Sequence, residues 1–198
     1  MEQATKRGFT LVELLVTISV IGILSSIIYA NLGGTGTAGR DAKRKADLRN
    51  IQTAIEAYKQ KNGHYPAGCR GANIWSGAPT TASKCPSGSE YIVGLAPEFI
   101  SRLPFDPNPN NKAGYIYVSN RNSTDKTGGT VYKLMAMGTV ESETVTSESE
   151  FKSCDTSGIC PTSGSGVCSP SNSRYQKSYA VWGGYADVET ETAKVICK

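Results

Sequence analysis

Between Phe9 and Ala30 the chain runs for 22 residues with a single charged side chain, Glu13, near the front. As an α-helix rising about 1.5 Å per residue, the run spans roughly 33 Å, enough to cross the hydrocarbon core of a bilayer. Ahead of it stands a polar leader, Met1 to Gly8, which carries Glu2 and sets Lys6-Arg7 against the apolar boundary. Cations in that place hold a leader on the cytoplasmic side. Three ordinary readings compete: a secretory signal peptide, a plain signal anchor and a buried helix of a soluble protein. A signal peptide has an apolar region of roughly 7 to 15 residues and then small residues at its cleavage site. This run is longer and ends Ile28-Tyr29-Ala30, with a bulky residue where a small one is needed. A soluble helix shows a polar face. Leu14 to Ile28 offers only Thr17, Ser19, Ser25 and Ser26, which membrane helices tolerate. A plain anchor gives no reason for Glu13, because an unpaired carboxylate inside an apolar run is costly and calls for a partner.

Gly8-Phe9-Thr10-Leu11-Val12-Glu13, with Lys6-Arg7 before it and the apolar run after it, resembles the class III signal of type IV pilins and type II secretion pseudopilins. The resemblance implies that a prepilin peptidase in the membrane cuts between Gly8 and Phe9 on the cytoplasmic face and that Phe9 is then N-methylated. It also implies that the Glu13 carboxylate pairs with the N-terminal ammonium of a neighbouring subunit's Phe9 during assembly. A desolvated pair of this kind sets register more reliably than it adds net stability. The implied partners are further copies of the chain or mixed pilin subunits, the peptidase, the inner-membrane assembly machinery and the cytoplasmic membrane before assembly. The implied location is first a single-pass inner-membrane protein and then a cell-surface pilus or periplasmic filament.

A chain of 198 residues is long enough for this segment and one modest globular domain. The net charge is +4, and removing Glu2, Lys6 and Arg7 with the leader leaves about +3, too mild to imply nucleic acid. All six cysteines, Cys69, Cys85, Cys154, Cys160, Cys168 and Cys197, follow the apolar run, as disulfides on the translocated, oxidising side would. Zinc is disfavoured: there is no Cys-x-x-Cys, and the one histidine, His64, sits in the turn-like Asn62-Gly63-His64-Tyr65-Pro66. Six cysteines allow 15 connectivities. Local loop closure favours Cys69 with Cys85, Cys154 with Cys160, and Cys168 with Cys197. A C-terminal disulfide loop is common in pilins, and the last pair is the counterpart that the resemblance suggests.

After Ala30, residues 31–39 hold four glycines, Gly33, Gly34, Gly36 and Gly39, and each weakens a helix by up to about 1 kcal/mol relative to Ala. A flexible segment is expected there. From Arg40 to Asn62 an amphipathic helix is expected, with Leu48, Ile51, Ile55 and Tyr58 on one face as a docking stripe. Gly63 and Pro66 end it, and Lys59 and Lys61 suit its C-terminal turn. The basic cluster Arg40, Lys43, Arg44, Lys45 and Arg49 is broken by Asp41 and Asp47 and contains no aromatic residue. It therefore reads as a solvated face, or one meeting headgroups or neighbouring subunits, before it reads as a DNA site.

Residues 63–198 compose a loop-rich, disulfide-bearing β head, so the fold class is α+β: a long N-terminal helix, half transmembrane and half amphipathic, packed on an antiparallel sheet. One helical turn is expected after Pro97, then a stiff turn at Leu103-Pro104-Phe105-Asp106-Pro107. Gly114 to Ser119 and Thr130 to Met137 form an antiparallel pair, Thr139 to Thr146 alternates as a solvent-facing strand, and Ser178 to Val188 holds a hairpin or bulge at Gly183-Gly184. Val195-Ile196-Cys197 closes the sheet. The Asn62 to Pro66 turn, the Leu103 to Pro107 turn and the strand Tyr115-Ile116-Tyr117-Val118 resemble a passage shared by pilins and pseudopilins.

No set of nucleophile, base and orienting group suggests an enzyme, and neither a metal nor another cofactor is expected. Asp106, Asn108 and Asn110 are oxygen donors in one loop, and pseudopilins can bind calcium nearby, but the interspersed prolines and the lack of a ligating Glu make the loop a weak match. Three functions stay open: the structural subunit of a type IV pilus, a pseudopilin of a secretion or DNA-uptake machine, and a membrane-anchored binding module that never polymerises.

Overall fold

A computed structural model describes residues 10–78, 83–108, 114–120, 129–154, 168–169, 171–184 and 195–197. Its first element is one helix, α1 (Leu11–Asn62), of 52 residues, about 78 Å at the standard rise. The backbone stays helical through the Gly33 to Gly39 stretch, so the weak propensity there does not break it. Thr10 caps the helix in an extended conformation, and Gly63 ends it in the left-handed region at φ 81°, donating its N–H to the Lys59 carbonyl. Only glycine enters that conformation without cost.

The head is an antiparallel sheet in the order β1 (Ser76–Gly77), β2 (Gly114–Ser119), β3 (Val131–Met137), β4 (Tyr179–Gly184). Tyr115 pairs with Ala136, Tyr117 with Leu134, and Leu134 in turn with Val181. These residues share the face toward α1 and bury Leu48, Ile51, Ala54 and Ile55 of the helix. The helix stripe and the strand alternation therefore solve the same burial problem from two sides. The interface is rich in tyrosine, and a buried phenol needs a hydrogen-bond partner. Tyr115 donates to Asp47 at 2.8 Å, while Tyr132 and Tyr65 donate to Glu56 at 3.1 and 3.2 Å. Gly183 and Gly184 do not turn a hairpin among these residues. They close β4 where a Cβ would strike the Tyr132 ring in one case and the Thr130 carbonyl in the other.

Residues 139–146 are not a strand. Val140 and Val145 are buried, and their N–H groups donate to the Lys177 and Gln176 carbonyls, so the segment is a strap laid beside the short helix α2 (Ser173–Gln176). Residues 195–197 form a short helical turn against the sheet rather than a closing strand. The stretch after Pro97 is a single turn, closed by the Phe99 N–H on the Leu95 carbonyl.

Cys69 is bonded to Cys85 as expected. The other two pairings expected from loop closure are overturned: Cys154 is bonded to Cys168, with Cα atoms 5.4 Å apart, and Cys197 is also disulfide-bonded. The preference for the nearest cysteine is weak. Closing 14 residues instead of 6 costs only about 0.7 kcal/mol more, and the burial of Cys154 beneath the sheet outweighs it. Cys160 lies outside the described residues, as do Gly8, Phe9, Asn110 and the chain beyond Gly184 up to Val195.

Candidate functional site

The start of α1 is built as a capping box. The Thr10 hydroxyl accepts the Glu13 N–H at 3.2 Å, and the Glu13 carboxylate accepts the Thr10 N–H and hydroxyl, both at 2.9 Å. Glu13 is thus held at the helix entrance by donors of its own chain, in the place where the helix dipole favours a negative charge.

From Leu11 to Leu24 the large apolar side chains Leu11, Val12, Leu14, Leu15, Val16, Ile18, Val20, Ile21, Ile23 and Leu24 are between 48 and 78 % exposed. The polar residues among them turn inward on their own backbone. Thr17 donates to the Leu14 carbonyl, Ser19 to that of Leu15 and Ser26 to that of Ile23, at 2.7 to 2.8 Å. With its hydroxyls satisfied locally, the helix offers an almost wholly apolar surface that none of the described residues covers. Its described side chains run only to Ser26, about 24 Å of helix from Leu11. Among the described residues no helix is long and apolar enough to cross a membrane.

The second part of the site is the joint where α1 enters the head. Arg44 is fully buried and bonds three carboxylates: Asp41 at 2.7 Å, Asp106 in a fork at 2.8 and 2.9 Å, and Glu141 at 2.7 Å. Burial works against the Arg44 charge, but its bonds to Asp106, Glu141 and Asp41 hold the pKa above its ordinary value. Arg40 grips Glu141 from the other side at 2.9 and 3.1 Å, and its bond, with that of Arg44, draws the Glu141 carboxyl down to about 2. Asp41 also accepts the Glu141 and Ser142 N–H groups and the Ser142 hydroxyl. Burial pushes the Asp41 pKa up, but the bonds from Ser142, Arg44 and Glu141 leave it lowered.

Further along, Lys45 pairs with Glu143 at 2.8 Å and lies over the Tyr179 ring, whose hydroxyl donates to the same Glu143. Arg49 pairs with Glu150 and covers the Phe151 ring. The basic cluster seen in the sequence is therefore the inner half of a clasp. Its cations, except Lys43, which bonds Asp47 one turn on, reach acidic residues of the strap, Glu150 just beyond it, and the Leu103 to Pro107 turn.

Of the three oxygen donors in that turn, Asn110 lies outside the described residues. Both Asp106 oxygens accept from Arg44, Asn108 contributes a backbone N–H to Asp106, and no cluster of metal-binding side chains occurs among the described residues. His64 stays in its turn, with Nδ1 3.1 Å from the Tyr65 carbonyl. Sequence reasoning missed the joint. The signal available was an excess of acids in residues 141–150 facing an excess of bases in residues 40–49, matched in sign but some hundred residues apart.

Two kinds of relationship to known proteins bear on this arrangement. Residues 4–29 match the prokaryotic N-terminal methylation motif. The chain is 34 % identical over 107 residues to type II secretion system core protein G of Aeromonas hydrophila, covering 54 % of this chain and 71 % of that protein. It is 35 % identical to the protein of the same name from Escherichia coli, covering 52 % and 66 %, and 33 % identical to that of Vibrio cholerae, covering 58 % and 71 %. No solved structure matches the chain. With the methylation motif at its front, one long helix, an antiparallel head and these relatives, the chain belongs to the pilin and pseudopilin family and stands within it beside type II secretion system core protein G.

Proposed function

We propose that the chain is a structural subunit, not an enzyme, of a secretion-type filament. It is made as a precursor stored in the inner membrane, cut between Gly8 and Phe9, and polymerised through α1 with copies of itself or related pilin-like subunits. The observation that carries this reading is the uncovered apolar face from Leu11 to Leu24 on the same helix whose other end is clasped into the head. A surface of that kind needs lipid or other apolar helices around it. The relatives favour the pseudopilin over a surface pilus. The disulfide-stapled region around Cys154 and Cys168 favours the surface pilus as the second reading.

On the proposed reading Glu13 exchanges the donors of Thr10 for the Phe9 ammonium of a neighbour during assembly. The prepilin peptidase and the inner-membrane assembly machinery are the other partners. Mass spectrometry of the mature protein should find an N-methylated Phe9 as its first residue, and any other N-terminus refutes the processing step. Filaments should be absent from Glu13→Ala cells while the variant still inserts into the membrane. Sheared surface filaments made of this chain would favour the pilus, and filaments retained in the periplasm the pseudopilus.

A further inference from the structure

Tyr132 and Leu134 of β3 face α1, so Lys133 between them points to the opposite side of the sheet, where it is fully buried. Its Nζ donates to the Ile196 carbonyl at 2.6 Å and lies 3.3 Å from Sγ of Cys154. Cys154 is itself fully buried, and its segment is set in place by bonds that owe nothing to sulfur. The Ala180 N–H on β4 donates to the Phe151 carbonyl, and the Ser153 hydroxyl reaches the Tyr175 and Ser178 carbonyls at 2.7 and 2.6 Å. The sheet therefore brings a cysteine sulfur to an amine before any crosslink is needed.

We propose that Lys133 makes Cys154 the attacking thiolate that closes the Cys154–Cys168 disulfide. The thiolate is the nucleophile in thiol–disulfide exchange, and a neighbouring cation raises its population. At 3.3 Å and an effective dielectric near 20, an ammonium is worth on the order of a thousandfold in thiolate population, part of which burial of the thiol takes back. Burial brings Lys133 down to about 7, so near neutrality it can take the proton that Cys154 gives up.

The oxidant is a carrier of the protein-disulfide class. Cys168 first attacks the carrier disulfide, forming a mixed disulfide and releasing one carrier thiolate. The Cys154 thiolate then attacks Sγ of Cys168. The Cys154–Cys168 bond forms, and the electron pair of the broken bond leaves on the carrier's second sulfur. Two protein thiols lose two electrons and two protons, the carrier disulfide becomes a dithiol, and Lys133 passes its extra proton to solvent. Among the described residues Lys133 of β3 lies against the Cys154 sulfur, the Ile196 carbonyl holds Lys133, and the Cys168 sulfur, bonded to Cys154, lies 2.9 Å from the Cys197 carbonyl. The inference stands apart from the filament reading.

The test is oxidation of the reduced full-length chain in neutral detergent by glutathione disulfide, quenched with alkylating agent and mapped by peptide at pH values from 6 to 10. In wild type the Cys154–Cys168 rate should rise with a midpoint below the ordinary thiol value of about 8.5. Lys133→Met should slow closure about tenfold at pH 7, with the gap narrowing steadily as pH rises toward 10, and the Cys69–Cys85 rate should be unchanged. Equal rates overturn the proposal. So does a slowing by one factor at every pH, which would mark lost packing alone. Should Lys133→Met fail to fold, Cys168→Ser in the wild-type background decides. Alkylation of its Cys154 with a midpoint below 8.5 supports the proposal, and a midpoint at or above 8.5 overturns it.

Discussion

Replacing Arg44 with Met tests the clasp at its centre. The substitution keeps most of the aliphatic stem but leaves Asp41 and Asp106, whose side chains are 4 and 2 % exposed, facing each other without their cation. Breaking a buried ion pair from one side costs about 3–5 kcal/mol, because the remaining charge is stranded. Protonation sets a ceiling on that cost, since neutralising one carboxyl of ordinary pKa at pH 7 costs about 4 kcal/mol. The expected loss is therefore about 4 kcal/mol at pH 7, a large part of a typical domain's 5–15 kcal/mol.

The pH dependence is the sharper test of the Arg44 substitution. In wild type Asp41 and Glu141 are held below their unfolded values. Their contribution is present above about pH 4.5 and is lost as pH falls toward 2, so stability is flat between pH 7 and 5 with respect to them. In Arg44→Met the burial that already works against the Asp41 charge is no longer offset by the cation, so the folded state should bind more protons and stability should rise as pH falls from 7 to 5. Urea denaturation of the full chain in neutral detergent at pH 7 and 5, followed by the fluorescence of Trp75 and Trp182, reads both effects. A loss under 1 kcal/mol, or a pH profile parallel to wild type, refutes the account.

Three further outcomes follow from the same geometry. Lys133→Met should flatten stability against pH between about 7.5 and 9.5. The lysine binds its proton more weakly folded, at about 7, than unfolded, so wild-type stability climbs with pH across that window, and an unchanged slope in denaturation at several pH values would contradict this. Tyr115→Phe removes the bond to Asp47, which keeps Lys43, and should cost about 1–2 kcal/mol in the same assay. Leu48→Ala, at a fully buried position of the docking stripe, should cost about 2–5 kcal/mol without altering membrane insertion, and a cost below 1 kcal/mol would mean that the stripe does not carry the packing of helix on head.

The features legible in the sequence were those whose cause is local. Gly63 ends α1 because only a residue free at positive φ can do so, and the alternation of Tyr115 to Ser119 and Val131 to Met137 gives the strand pair its inward face. Thr139 to Thr146 misled because alternation of valine with polar residues is common to a half-buried strand and to a strap. What separates them is where the backbone bonds go, here to Lys177 and Gln176, and no pattern within the segment states that. The bases of residues 40–49 looked solvated because their partners, Asp106, Glu141, Glu143 and Glu150, lie elsewhere in the chain. The disulfide pairing was hidden for a similar reason: proximity along the chain is worth less than 1 kcal/mol, and proximity on the sheet decides.

The two halves of α1 obey different energetics, and that difference bears on the role proposed for Glu13. Covering the ten exposed apolar side chains between Leu11 and Leu24 is worth roughly 1.5–3 kcal/mol for each one fully buried, far more than any single contact at the joint. That gain is nearly the same in lipid as among other apolar helices, since acyl chains and leucine side chains are equally dry. Hydrophobic burial thus prevents the segment from remaining in water but hardly chooses between membrane and filament. The hydroxyls of Thr17, Ser19 and Ser26 do not choose either, because each is already bonded to its own helix. Glu13 is the one charged group of the described segment from Leu11 to Ser26, and Thr10 supplies it only with neutral donors. A cationic partner stabilises a carboxylate more than neutral donors do in a dry setting. On the proposed function the balance between the two environments turns on this residue: Glu13→Gln, which keeps the cap but not the charge, should leave the protein in the membrane fraction and out of filaments, and normal filaments from that variant would show that apolar packing alone drives the transfer.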